Sequence, residues 1–215
     1  RREIYFNFLD AFKMISLLDK KNKLNEDRNS INVSYTRHVN IIFGNYPYPD
    51  IIHNLAMSIK SNLDPNMDNY TNVKGGMTDW NYFLDKPEFV DFTSYLINKY
   101  QNIHPDIFKY FLERKTIENA WGNEIKKGDS LNYHNHSCIH GILYLTKGCD
   151  LILPELNLKI SPEPGDYYIF PPEILHGFDV YEEDYNRYSL IFNIVEKKAF
   201  EYDKKLRAIR SRSST

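Results

Sequence analysis

The sequence predicts an α+β fold in which a helical N-terminal half precedes a β-domain of sandwich or barrel type. Three observations predict it. Apolar residues recur at helical spacing before residue 115. From Thr116 onward, short apolar and aromatic runs alternate with Gly, Pro, Asn and Asp. Four of the seven histidines fall inside that second region.

The elements follow in order. A chain of 215 residues is long enough for one sizeable domain, or for a core with an N-terminal extension. Residues 3–20 set Phe6, Leu9, Phe12, Ile15 and Leu18 at three-residue steps, which reads as a packing helix. Residues 20–35 are polar and charged and read as a linker. HVNIIF at 38–43 reads as a strand closed by the turn GNYPYPD, after which Asp50 can cap the helix IIHNLAMSIKSNL, ending before Asp64-Pro65. Residues 66–82 read as an ordered loop with a glycine pair, Gly75-Gly76. The part from Thr71 to Trp80 is expected at the mouth of the β-domain, because loops carry recognition on rigid scaffolds. A helix is expected from about Pro87 to about Tyr100, and a short one in HPDIFKYFLERK. Seven strands are expected in TIENAWGNEI, SLNYHNH, IHGILYLT, DLILPE, LKISPE, DYYIFPP and RYSLIFNIV. The chain thus divides into a mainly helical region 1–115, a β-core 116–196 and a charged tail 197–215 expected to fray.

Bulk properties exclude several classes. Hydrophobic content of 42% with 26% charged residues is that of a soluble globular chain, and a net charge of −2 builds no field for nucleic acid or an anionic membrane. No apolar run approaches the ~20 residues of a membrane span. The start, Arg1-Arg2-Glu3, lacks both an initiator Met and a long apolar stretch, and reads as a fragment boundary without a signal peptide. Cys138 and Cys149 are too few for a disulfide framework and are not in a CxxC arrangement. They point to a reduced, cytoplasmic setting, a host's cytoplasm if the source is viral.

The chemistry concentrates in NYHNHSCIHG. On a strand, residues i and i+2 share a face, so His134 and His136 project together, about 6–7 Å apart along the chain. His176, after the turn Pro164-Gly165-Asp166 and the run Tyr167–Phe170, is the candidate third ligand. Three imidazoles with open positions suit Fe(II) and oxygen chemistry, and also Zn(II). Arg187 and Ser189 share a strand face, where a guanidinium fork and a hydroxyl can grip one carboxylate. The competing reading for Arg187 is a surface ion pair with Glu182, Glu183 or Asp184. His38, His53 and His104 carry no functional assignment.

The stretch from Trp121 to Asn193 resembles the core of the 2-oxoglutarate/Fe(II) oxygenases, and within them an oxygenase family common in phages and marine bacteria. The matching pieces are Trp121-Gly122-Asn123, Gly128, His134-Asn135-His136, Gly141-Ile142-Leu143-Tyr144-Leu145, Pro164-Gly165-Asp166, Phe170-Pro171, His176 and Arg187-Tyr188-Ser189. TNVKGGMTDW also resembles a segment upstream of the core in phage members. The resemblance implies a double-stranded β-helix (jelly roll), with Fe(II) on His134, His136 and His176. It implies 2-oxoglutarate as co-substrate on Arg187 and Ser189 with Tyr144 beside it. It also implies hydroxylation of a small-molecule or peptidyl substrate by O2, with succinate and CO2 as by-products.

One departure stands out. The superfamily's usual second ligand is Asp or Glu, and here position 136 is His. A histidine is not small, which argues against the halogenases that leave this position open to chloride. The same residues also resemble a cupin: Gly128, His134 and His136 fit its first motif with His140 in place of Glu, and Gly165, Pro171 and His176 fit its second with Glu173 in place of Gly. That alternative makes His140 a fourth ligand, in a metal dioxygenase or a small-molecule binding module without 2-oxoglutarate. A third reading is a non-catalytic binding domain whose histidines hold no metal.

Overall fold

The computed structural model describes residues 41–67, 75–103 and 105–212. The helix expected at 3–20, the linker at 20–35, His38 and His104 lie outside them. The described elements run β1 (Ile42–Asn45), α1 (Pro49–Ser61), β2 (Gly76–Met77), α2 (Pro87–Ile103), α3 (Pro105–Arg114), β3 (Lys115–Ile125), β4 (Leu131–His134), β5 (Ile139–Tyr144), β6 (Leu151–Leu153), β7 (Leu158–Ile160), β8 (Asp166–Phe170), β9 (His176–Phe178), β10 (Arg187–Glu196) and α4 (Lys197–Arg212). Helices α1 and α2 each open on a proline, whose missing N–H costs nothing in a first turn. Among the described residues no helix is long and apolar enough to cross a membrane.

The strands form two antiparallel sheets. One has six strands in the order β1-β8-β5-β10-β3-β2, the other four in the order β4-β9-β6-β7. The side-chain period of two gives the large sheet two distinct faces. Along β10, Tyr188, Leu190, Phe192 and Ile194 enter the main core with Ile52, Leu55 and Ile59 of α1 and Phe89, Phe92 and Leu96 of α2. Arg187, Ser189 and Ile191 face the other way, into a cavity. Strands β3 and β5 repeat the alternation, sending Trp121, Asn123 and Ile125, then His140, Ile142 and Tyr144, to the cavity side. The helices therefore fill one face of the large sheet and leave the other for a site.

Two glycines allow this packing. A Cβ on Gly122 would lie 2.3 Å from Cγ1 of Ile59, so only glycine lets α1 settle this closely on β3. Gly165 has φ +91° in the turn before β8, a left-handed conformation costly for other residues.

Several expectations shift. The first strand is Ile42–Asn45, running into the expected turn, and pairs with β8. The expected loop at 66–82 contributes a two-residue strand, β2, on the edge of β3. Strand β4 stops at His134 instead of continuing through His136. The charged tail after Glu196, expected to fray, is helical to Arg212. Its Ala, Glu, Lys, Leu and Arg residues are strong helix formers, and its start is tied by Lys197 Nζ donating to the Leu112 carbonyl at 2.6 Å and by the Lys115–Glu196 ion pair.

Candidate metal and co-substrate site

His134 ends β4 and faces His176, the first residue of β9, across an antiparallel pair. His136 lies two residues beyond the strand, where its backbone N–H donates to the Pro172 carbonyl at 3.2 Å. The three rings nevertheless converge: centroids are 4.9 Å apart for His134–His136, 4.6 Å for His134–His176 and 5.2 Å for His136–His176. One ring nitrogen from each lies within 4.8 Å of the others, an arrangement able to hold a metal ion.

The protonation pattern fits a cation. Nδ1 of His134 is 2.9 Å from the Asn132 carbonyl and Nδ1 of His176 is 3.1 Å from that of Ile174. A carbonyl only accepts, so each Nδ1 carries the hydrogen and each Nε2 keeps its lone pair. Burial holds the His136 imidazolium down to a pKa of about 3, helped by the charges that His176 and His134 would bear. Burial likewise lowers His176 to about 4, against the opposing Ile174 hydrogen bond, and lowers His134. All three rings are therefore neutral donors at pH 7. Nε2 of His136 is buried with no hydrogen-bond partner, an orphaned acceptor of the kind a metal satisfies.

His140, the fourth ligand of the cupin alternative, is not one of the three whose nitrogens converge, although its ring lies 5.2 Å from that of His176. It sits on β5 within the large sheet, paired in register with Asn193 and Phe170. Its Nδ1 is 2.9 Å from Oδ1 of Asn193, and its ring lies face to face with His136, centroids 3.7 Å apart and planes 8° apart.

The same cavity, about 470 Å³, also contains Arg187, Ser189 and Tyr144. Arg187 is 3% exposed, not a surface residue, and has no carboxylate partner among the described residues. Of the three acids that competed for it, Asp184 pairs with Lys127, and neither Glu182 nor Glu183 forms an ion pair with Arg187. The guanidinium lies between aromatic faces, 4.8 Å from the Tyr144 ring centroid and 4.9 Å from that of Phe178. One of its amino groups contacts Sγ of Cys149, and its Nε has no partner. A buried cation without an anion is costly, and a ligand carboxylate would offset that cost. Ser189 pairs in register with Tyr144, so both flank the arginine. Burial pushes the Tyr144 phenol far up, keeping it a neutral donor.

Sequence reasoning missed the groups that support these side chains. Glu124 is 3% exposed and accepts from Asn186 and Tyr188, both at 2.8 Å, so it grips the residues on either side of Arg187. Burial opposes its charge, but hydrogen bonds from Lys126, Tyr188 and Asn186 outweigh that and hold its carboxyl below the usual range. Its place opposite Tyr188 in the β3–β10 register follows only from the pairing. Asn123, Asn193 and Phe178 likewise carry no signal of their own in sequence. Trp80 lines the cavity and packs edge-on against Trp121 at 4.6 Å, while Thr71–Lys74 of the expected mouth loop lie outside the described residues. His53, given no role, is an exposed residue of α1.

No protein-family model and no curated protein matches the chain. Solved structures do. A viral collagen prolyl hydroxylase from Paramecium bursaria Chlorella virus-1, in complex with 2-oxoglutarate, is 16% identical over 74% of this chain and 96% of its own, with a TM-score of 0.55. A Pseudomonas putida prolyl-4-hydroxylase is 14% identical over 72% and 91%, TM-score 0.54. HygX from Streptomyces hygroscopicus, with nickel and 2-oxoglutarate bound, is 10% identical over 74% and 84%, TM-score 0.51. The two-sheet architecture around the three histidines and Arg187 is thus the fold that these two prolyl hydroxylases and HygX share.

Proposed function

We propose that the chain is an Fe(II)- and 2-oxoglutarate-dependent hydroxylase whose two sheets form a double-stranded β-helix. The observation that carries this reading is a buried, anionless Arg187 sharing one cavity with three converging neutral histidines. A dicarboxylate that also chelates the metal answers both needs at once. His134, His136 and His176 hold the metal. Arg187 and Ser189 take the distal carboxylate of 2-oxoglutarate, with Tyr144 donating beside them. Bound Fe(II), 2-oxoglutarate and O2 supply the oxidising power, ending in succinate, CO2 and a hydroxylated C–H position. The chain orients the co-substrate through Arg187 and screens the site with Trp80, Trp121 and Phe178.

The lining also bears on the substrate. Arg187 is the one fully charged side chain among the described residues that line the cavity; the rest are neutral at pH 7, with Trp80, Trp121, Asn123, Ile142 and Ile191 among them. With Arg187 committed to 2-oxoglutarate, the described lining meets the substrate with neutral groups, which suits a neutral side chain of a peptide or a neutral small molecule.

The test is spectroscopic. Anaerobic protein with Fe(II) and 2-oxoglutarate should develop the weak visible charge-transfer band of a chelated 2-oxo acid, which requires two adjacent open coordination positions. A cupin-type site with His140 as fourth ligand would lose metal in His140→Ala. An unchanged dependence of the band on 2-oxoglutarate concentration in a protein lacking Arg187 would remove the assigned role of that residue.

A further inference from the structure

His136 occupies the position where a carboxylate is usual, and the two ligand types make different demands. A carboxylate has two oxygens and tolerates rotation. An imidazole nitrogen offers one lone pair in the ring plane, so the plane must be fixed for that lone pair to be aimed. His134 and His176 meet this demand through strand pairing and through Nδ1 hydrogen bonds to backbone carbonyls. His136 has neither device: it lies past the end of β4, and neither of its ring nitrogens makes a hydrogen bond among the described residues. What it has is the face of His140, parallel to within 8° at 3.7 Å. His140 is itself immobilised. It is 5% exposed, belongs to β5 in the interior of the six-stranded sheet, donates from Nδ1 to Asn193 of β10 at 2.9 Å, and lies against the Trp121 ring at 6.2 Å.

We propose that His140, locked by Asn193, is a positioning residue that fixes the ring plane of His136 and thereby completes a three-histidine metal site without ligating the metal. A ligand on a loop is aimed by a ring held in the sheet. The inference rests on the metal-site reading above and assigns a role within it to two residues, His140 and Asn193, that the triad leaves unused.

The test is metal affinity and geometry in the absence of turnover. Co(II) is titrated into wild type, His134→Ala, His140→Ala, His140→Phe and Asn193→Ala, following the d–d absorption, with circular dichroism as the check on folding. Wild type should bind and His134→Ala should not. His140→Ala should bind about 10- to 100-fold more weakly, the usual cost of losing an outer-shell partner, with a changed Co(II) spectrum. His140→Phe keeps a flat ring but has no nitrogen and so loses the Asn193 hydrogen bond; it should still bind Co(II), with an affinity between those of wild type and His140→Ala. Asn193→Ala, which frees the supporting ring, should fall between. Should His140→Ala fail to fold, His140→Phe and Asn193→Ala decide, and wild-type affinity and spectrum in both would overturn the inference. Wild-type affinity in both His140→Ala and Asn193→Ala would overturn the inference. Loss of metal in His140→Phe would overturn it too, because it would make His140 a ligand. Wild type that binds no Co(II) would overturn the metal-site reading and this inference together.

Discussion

Arg187 is a buried side chain whose cost a ligand carboxylate would offset. It is buried between Tyr144 and Phe178 with no anion, so the free protein bears an uncompensated charge. Arg187→Met keeps an unbranched stem between the two rings and deletes the charge. The free variant should be at least as stable as wild type by urea denaturation, while its 2-oxoglutarate affinity should fall about 10- to 100-fold, the worth of a charge-assisted fork of roughly 1.5–3 kcal/mol. Metal affinity should not change, and equal loss of both would point to general damage. The histidines give a second prediction. Their folded pKa values lie below the ordinary 6.5, at about 3 for His136 and about 4 for His176, so between those values the unfolded chain binds more protons. Stability of the metal-free protein should therefore be full above pH 6.5 and decline as pH falls through 6 and 5. Denaturation midpoints at pH 7.5, 6 and 5 check this, and His136→Gln should flatten the decline.

Among the elements, the contact of α1 with β3 depends on one missing methyl group. Gly122→Ala would drive a Cβ to 2.3 Å from Ile59, so helix or strand must move. The expected loss is about 1–3 kcal/mol, as for other overpacked cores, read from a urea midpoint; an unchanged midpoint would mean that α1 shifts freely. The sequence foretold most such elements because their signals are local. RYSLIFNIV is long, mostly apolar and rich in β-branched residues, TIENAWGNEI sets Ile and Trp among polar residues, and they appear as β10 and β3. The His-x-His pair and Arg187 announced themselves by residue type, and the structure brings both into one cavity. What could not be read depends on pairing at long range. Strand β9 is only His-Gly-Phe, too short for any period, and exists because β4 and β6 flank it. The end of β4 at His134 is set by its register with β9, so the same-face argument for His136 does not describe its geometry, although its ring nitrogen does lie near those of His134 and His176. The helical tail was misjudged because its charge was weighed and its helix propensity was not.

At the scale of the whole molecule, the site is divided between the two sheets. His134 and His176 belong to β4 and β9 of the four-stranded sheet, whereas Tyr144, Arg187 and Ser189 belong to β5 and β10 of the six-stranded sheet. In the proposed reading, a ligand that reaches both the metal and Arg187 would add a tie between the sheets to the packing of Phe178 against Arg187 and Ile125. A metal alone acts on the small sheet and the loop that carries His136; 2-oxoglutarate alone meets Arg187 but lacks its second anchor. Ligand-linked stabilisation follows RT ln(1 + [L]/Kd), about 2.7 kcal/mol at a hundredfold excess over Kd, so the two increments can be compared in one thermal-shift experiment with oxygen excluded. Fe(II) or Co(II) alone should raise the midpoint, 2-oxoglutarate alone should raise it little, and the pair should raise it by more than the sum. In Arg187→Met the metal increment should survive and the cooperative part should vanish. In His134→Ala both should vanish, because the co-substrate loses the metal that makes its grip bidentate. Strictly additive increments in the wild type would mean that metal and 2-oxoglutarate do not meet in this cavity, and the division of one site between two sheets would then have no functional meaning.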